Sequence, residues 1–387
     1  MPQRAHASSR ETRRARATLQ PDGPIAVMRP WAPPAHTIAP YLEQMDAARW
    51  YSNFGPLNQA FEQRLAARFS GETHIVTAAN GTSALAMALR VLSARAKPGA
   101  LCMIPAWSFS ASAHAALLAG LTPFFVDIDA RTGALSPDIA RAALASAPGE
   151  VAAIMPVSAF GAPFDAPAWA TFQEETGVPA LIDAAAGFDS VREAPVPVVV
   201  SLHATKVLGA GEGGFIATRN AELAELMRAQ SSYGFMGSRI SRFPAMNAKM
   251  SEYHAAVGLA ALDHWPATRE RLLQAGQNVR AALGERLVRF QPGWSLEWVS
   301  NTCVIRVPNG QADLLSRRLA ARNISTRDWW GRGLHREPAF RDLPRAPDLS
   351  AVSQHAGSHL GLPFAIDLSE YEIARIAEAV SEFQGAR

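Results

Sequence analysis

Between residues 74 and 205 short apolar runs alternate with segments of helical period. "HIVTAAN" (74–80) predicts a strand. "GTSALAMALRVLSA" (81–94) predicts a helix with Leu85, Leu89 and Leu92 on one face. The same alternation repeats. "ALCMIPAW" (100–107) is a strand, followed by the helix "SASAHAALLAG" (110–120), which Gly120 closes. "TPFFVDID" (122–129) is a strand, and "SPDIARAALASA" (136–147) is a helix with Ser136 as N-cap and Pro137 at its first position. "VAAIMPVSAF", "PALIDAAAG" and "VPVVVSLHA" supply three more strands, and "GFIAT" (214–218) a further one. Beyond residue 220 the pattern turns helical. "SEYHAAVGLAALDHW" (251–265) and "ATRERLLQAGQNVRAALGERL" (267–287) read as two helices, followed by an apolar stretch at 296–308 and helices near 311–322 and 369–383.

This order predicts an α/β fold: a mostly parallel sheet covered by helices on both faces, with a smaller C-terminal α+β domain. The expected division is a basic disordered tail over 1–24, a large domain over 25–255 and a small domain over 256–387. In such sheets ligands sit at the carboxyl ends of the strands. Hydrophobic residues make up 48% and charged residues 18% of the 387, enough apolar content for a sizeable core. A net charge of +3 gives no ground for a nucleic-acid partner. Two cysteines, Cys102 and Cys303, make no disulfide framework and no zinc motif. No run of ~20 apolar residues predicts a membrane span. The Arg-rich start lacks the apolar core of a secretory signal, although it has some character of an organellar transit peptide. A cytoplasmic protein is expected.

Nearly all the cations are arginine. Lys206 is one of three lysines, with Lys97 and Lys249. It follows the apolar strand "PVVVS", where the carboxyl-end site belongs, and a buried lysine there serves as nucleophile or base. A solvated lysine at a strand end is the plain alternative. Gly209, Gly211 and Gly214 beside it spell G-x-G-x-x-G, but a dinucleotide fingerprint must open a helix, and here the glycines run into a strand. The expectation is a tight turn between strands. Asn80-Gly81-Thr82-Ser83 opens a helix directly after a strand, which makes either an anion site or simply an N-cap. Asp183 ends the strand "ALID", as a cap or as a partner for a buried cation. Phe109 offers a flat ring near the same edge, unless it packs in the core. A phosphate site, an amine, a carboxylate and an aromatic face together match pyridoxal 5′-phosphate chemistry. The lysine bonds to the cofactor's aldehyde, the aspartate keeps the pyridine nitrogen protonated, and the aromatic ring stacks on the cofactor.

From about residue 25 onward the chain resembles the DegT/StrS-type sugar aminotransferases, a group of fold-type I pyridoxal phosphate enzymes. The blocks that carry the resemblance are "YSNFGPLNQAFEQRLAARF", "NGTSALAMAL", "IPAWSFSASAHAALLAGLTPFFVDID", "VSLHATKVLGAGEGGFIAT" and "MNAKMSEYHAAVGLAAL". The resemblance implies that Gly81, Thr82, Ser83 and Ser201 hold the phosphate, that Phe109 stacks on the ring, and that Asp183 and Lys206 are catalytic. It also implies that Asn247 reaches the phosphate of a neighbouring subunit in a homodimer with shared sites. Two positions depart from the family pattern: Ala186 stands where Gln or His is usual, and Lys249 where Arg is common. A sister group of dehydratases carries His at the position of Lys206, so the lysine favours transamination.

The implied reaction moves an amino group from an amino-acid donor, usually glutamate, to a keto group on a nucleotide-linked sugar. "STRDWWGRGLHREPAF" (325–340) supplies candidates for the substrate: Trp329, Trp330, Arg332 and His335, with Arg327 and Arg336. Indoles beside guanidiniums suit a base or sugar and a pyrophosphate. A Trp-bearing surface loop is the plain alternative. Other readings are an aminotransferase acting on an inosose or another non-nucleotide ketone, a dehydratase, or a cofactor-binding protein with a regulatory role.

Overall fold

A computed structural model describes residues 23–385. The basic tail expected over 1–24 lies outside the described residues apart from its last two positions. Helices α1 (Ala35–Ala48) and α2 (Pro56–Ala66) precede the sheet. Its strands are β1 (His74–Ala78), β2 (Leu101–Pro105), β3 (Thr122–Val126), β4 (Val151–Ile154), β5 (Ile182–Asp183), β6 (Val198–Ser201) and β7 (Gly214–Thr218). They coincide with the apolar runs of the sequence. Helices α3 (Gly81–Leu92), α4 (Ser110–Leu118), α5 (Pro137–Leu144), α6 (Ala166–Thr176) and α7 (Ala221–Ser231) lie between or after them. Ser136 caps α5 by accepting the Ile139 N–H at 3.3 Å, with proline in the first turn as expected.

Two hydrogen-bonded sets of strands, β3-β2-β4 and β5-β6-β7-β1, meet through parallel bridges at Ile154–Ala180 and Val157–Asp183. The resulting order is β3-β2-β4-β5-β6-β7-β1. All these pairings are parallel except those of β7 with β6 and β1. The exception follows from connectivity. Residues 202–213 return directly to β7 without a crossover helix, and a direct return yields an antiparallel neighbour. This segment is a longer loop than the tight turn expected there. Its glycines lead into a strand, so the dinucleotide fingerprint does not hold.

The two helices expected at 251–265 and 267–287 form one element, α8 (Glu252–Leu287), which runs through Pro266 and is kinked instead at Gly284, where φ is +64°. Proline removes one backbone hydrogen bond and crowds the preceding turn. Burial of Leu259, Leu262, Trp265 and Leu272 on the inward side outweighs that cost. The expected domain boundary at 255–256 lies inside this helix. Beyond it, β8 (Arg289–Phe290), β9 (Cys303–Arg306) and β10 (His359–Leu362) form an antiparallel sheet in the order β10-β9-β8. Helices α9 (Ala312–Ala320), α10 (Ser350–His355) and α11 (Glu370–Gly385) complete this region. The N-terminal residues Ile25 and Met28 bridge to Ile324 and Phe364, so the start of the described chain sits with the C-terminal layer.

Among the described residues no helix is long and apolar enough to cross a membrane, and no His/Cys/Asp/Glu group can hold a metal ion. Cys102 and Cys303 are free and buried.

Candidate active site

A cavity of about 1020 Å³ opens at the carboxyl ends of the strands. Gly81, Thr82, Ser83, Phe109, Asp183, Ser201 and Lys206 all line it. Asp183 ends β5, where its backbone N–H and C=O bond to Pro156 and Ser158 at 2.9 Å. The residue is only 4% exposed. It accepts the Ser112 hydroxyl at 2.7 Å and the Ala185 N–H at 3.1 Å. Burial pushes the Asp183 carboxyl up from its ordinary value; those two donors and the charge of Lys206 oppose the shift. No cation is ion-paired with this carboxylate among the described residues. A buried carboxylate in that condition has a place for a cationic N–H.

Lys206 sits in the loop after β6, its backbone N–H bonded to the His203 carbonyl at 2.8 Å. Burial lowers the pKa of its amine, and the Asp183 charge works in the opposite direction. A lowered amine is the state a nucleophile or base requires. Lys206 is half-buried and lines the cavity, so it is not a freely solvated strand-end lysine.

The start of α3 forms a cradle. Asn80 is its N-cap and accepts the Ser83 N–H at 2.8 Å, which leaves the Gly81 and Thr82 amides as the free donors. A Cβ on Gly81 would stand 3.2 Å from Ser201 Oγ, so the serine hydroxyl lies beside the helix start. A Cβ on Gly214 would stand 2.9 Å from both N and Cα of Gly81. Gly214, the last glycine of the run beside Lys206, thus acts through close backbone approach. N-cap and anion site are compatible here, because the cap uses one amide and spares two. Phe109 is 58% exposed and lines the cavity instead of packing in the core.

The substrate candidates divide. Trp329 and Trp330 line the cavity. Trp330 stacks on Phe160 with centroids 4.0 Å apart and meets Trp107 edge-on at 4.7 Å. Arg332 and His335 do not line it. Gly331 and Gly333, at φ +53° and +93°, turn the chain away, and the Leu334 N–H bonds to the Ala106 carbonyl at 2.7 Å. Arg332 is exposed, and His335 is buried beside a separate depression with Arg336 and Arg345. Asn247 is exposed outside the cavity and accepts a hydrogen bond from Lys249 Nζ at 2.6 Å. Ala186 lines the cavity with a methyl group only.

Residues 35–381 match the DegT/DnrJ/EryC1/StrS aminotransferase family. The chain belongs to this family. Protein Rv3402c of Mycobacterium tuberculosis is 30% identical over 384 residues, covering 94% of this chain and 92% of that protein. A dTDP-4-amino-4,6-dideoxy-D-glucose transaminase of Shigella dysenteriae is 36% identical over 247 residues, or 62% and 65% of the two chains. The crystal structure of DesI in the presence of its TDP-sugar product superposes with a TM-score of 0.80 at 30% identity, covering 92% of each chain. As a DegT/DnrJ/EryC1/StrS member with this sheet order, the protein is a fold-type I enzyme and an aminotransferase of a pyridoxal phosphate-dependent family.

Within this DegT/DnrJ/EryC1/StrS site several residues escape the sequence reading. Ser112, which holds Asp183, is one of many small residues in an Ala-rich helix. His203 and Glu212 flank Lys206 and face each other at 3.7 Å. Asn301 donates to the Thr205 carbonyl at 3.1 Å, linking the region after α8 to the lysine loop. Asp328 lines the cavity beside the two indoles, next to Arg327, which the sequence already offers as a companion of the tryptophans. The charged residues near Lys206 and the tryptophans were visible as neighbours in sequence; Ser112 and Asn301 carried no such signal.

Proposed function

We propose that the protein binds pyridoxal 5′-phosphate and transfers an amino group, with glutamate as donor, to a nucleotide-linked ketosugar. The observation that carries this reading is the convergence of Asp183, Lys206 and the Gly81–Ser201 cradle on one cavity. The cofactor's phosphate suits the Gly81 and Thr82 amides with the Ser83 and Ser201 hydroxyls. Asp183 is the partner for the pyridine nitrogen, and its buried carboxylate, which makes no salt bridge among the described residues, favours a protonated ring. Phe109 supplies a face for stacking. The bound cofactor supplies a cationic ring that takes up electrons from the carbon losing its proton. Lys206 Nζ would hold the cofactor through its aldehyde and would move the proton at the substrate carbon.

A sugar substrate is supported by relatives named as sugar enzymes, among them the Shigella transaminase and a GDP-perosamine synthase of Caulobacter vibrioides. Trp329 and Trp330 offer the flat surfaces such a substrate needs. The protein acts as a cytoplasmic homodimer in which Asn247 completes the neighbour's phosphate site. Its exposure, and that of Trp50, Tyr51, Tyr233, Ile240 and Tyr253, supports a covered face. The test is to load the protein with pyridoxamine phosphate and screen nucleotide-4-ketosugars by absorbance. Conversion to the aldehyde form with a nucleotide ketosugar is the expected result. Conversion only with inososes or simple ketones would favour the non-nucleotide alternative, and no conversion with any ketone would remove the aminotransferase reading.

A further inference from the structure

We propose that Arg327 is an oxyanion anchor in the active-site cavity and that Gly361 sets its position. This rests on the aminotransferase reading above and adds a residue to it. Three basic side chains among the described residues line the cavity: His203, Lys206 and Arg327. His203 faces Glu212 at 3.7 Å, and Lys206 belongs with Asp183. The Arg327 guanidinium has no ion-pair partner among the described residues. Its neighbour Asp328 also lines the cavity, but that carboxylate accepts the Gly331 N–H at 3.0 Å and feels the charge of Arg332.

The backbone of Arg327 is tied to β10. Its N–H donates to the Gly361 carbonyl at 3.0 Å, and the Gly361 N–H donates to the Arg327 carbonyl at 2.7 Å. The guanidinium carbon lies 5.1 Å from the centroid of the Trp329 ring, within cation–π range. Trp329 occupies the space a side chain at 361 would fill, since a Cβ on Gly361 would stand 2.2 Å from its Nε1. Glycine at this strand position therefore admits the indole, and the indole supports the guanidinium. A planar, permanently charged fork held this way suits bidentate contact with a carboxylate or phosphate. The reaction brings two such groups into the cavity in turn: the carboxylate of the amino donor and the diphosphate of the nucleotide-linked sugar.

The experiment measures binding and conversion separately on the cofactor-loaded protein, with wild type, Arg327→Gln, Arg327→Lys and Gly361→Ala. Calorimetry gives the affinities for L-glutamate and for UDP, dTDP and GDP. Absorbance gives cofactor conversion by L-glutamate. Arg327→Gln should weaken L-glutamate or the nucleoside diphosphates at least about tenfold, the scale of a lost charged hydrogen bond. The arm that weakens identifies the oxyanion. Arg327→Lys should recover part of the loss, and Gly361→Ala should weaken the same arm. Binding within twofold of wild type for both probe classes in Arg327→Gln, with cofactor retained, overturns the anchor, as does a wild type that binds neither class. If Arg327-dependent binding is present but glutamate never converts the cofactor, the anchor stands and the aminotransferase reading fails.

Discussion

The Ser112 hydroxyl donates to the Asp183 carboxylate across 2.7 Å, joining α4 to the end of β5. The oxygen of Ser108 lies 3.0 Å from that of Ser112, extending the chain of polar groups. A hydrogen bond to a charged group contributes about 1.5–3 kcal/mol. Ser112→Ala should therefore lower kcat about tenfold. Burial already raises the Asp183 carboxyl, and losing a donor raises it further. The role proposed for Asp183 needs the ionised form, so the acid limb of the pH–rate profile should move to higher pH. An unchanged kcat with an unshifted limb would show that Ser112 does not hold the carboxylate.

Asp183→Asn separates function from stability. With its pKa raised above the ordinary 3.8, Asp183 contributes stability below that pH and loses it as pH rises through the folded value. In cofactor-free protein at neutral pH the buried carboxylate is thus a burden. The variant should melt at or above the wild-type temperature without cofactor and gain less on adding it. Its kcat should fall at least about a hundredfold, the scale of losing a preorganised charge partner. Wild-type turnover in this variant would remove Asp183 from the mechanism.

Gly214→Ala tests the cradle. The new methyl would meet backbone atoms of Gly81 at 2.9 Å, and backbone moves only with its helix. Cofactor affinity should drop at least about tenfold, in line with the 1–3 kcal/mol cost of overpacking. Gly149→Ala, where a Cβ meets nothing within 4 Å, serves as the neutral control. Equal cofactor affinity in both variants would contradict the role given to Gly214.

Shared sites predict complementation. In a mixed dimer of Lys206→Ala and Asn247→Ala protein, one site carries both defects and the other neither. Activity should rise above that of either parent once subunits exchange. Verified mixed dimers without a gain, when Asn247→Ala is itself impaired, would mean that Asn247 serves its own subunit.

Much of this was legible in sequence for a physical reason. Short apolar runs ending in Asp183 and Ser201 must be buried strands, and strand ends on a parallel sheet define one edge. Lys206 and Gly81 fall on that edge by connectivity alone. Contacts made across the fold were not legible. Nothing local marks Ser112 as the support of Asp183, or Gly361 as the seat of Trp329. Pro266 reads as a break because local propensity disfavours it, while the tertiary packing of Trp265 and Leu272 keeps the helix running through that position. Arg332 and His335 lie three and six residues from Trp329 in sequence, yet the turn at Gly331 and Gly333 carries them out of the cavity.

Lys206 is the residue proposed to bond the cofactor. Borohydride reduction of the cofactor-loaded protein, followed by peptide mapping, reads this directly. A single stable adduct on Lys206, in the peptide containing "HATK", is expected, and none in Lys206→Ala. Label on Lys97 or Lys249 with Lys206 unmodified would contradict it.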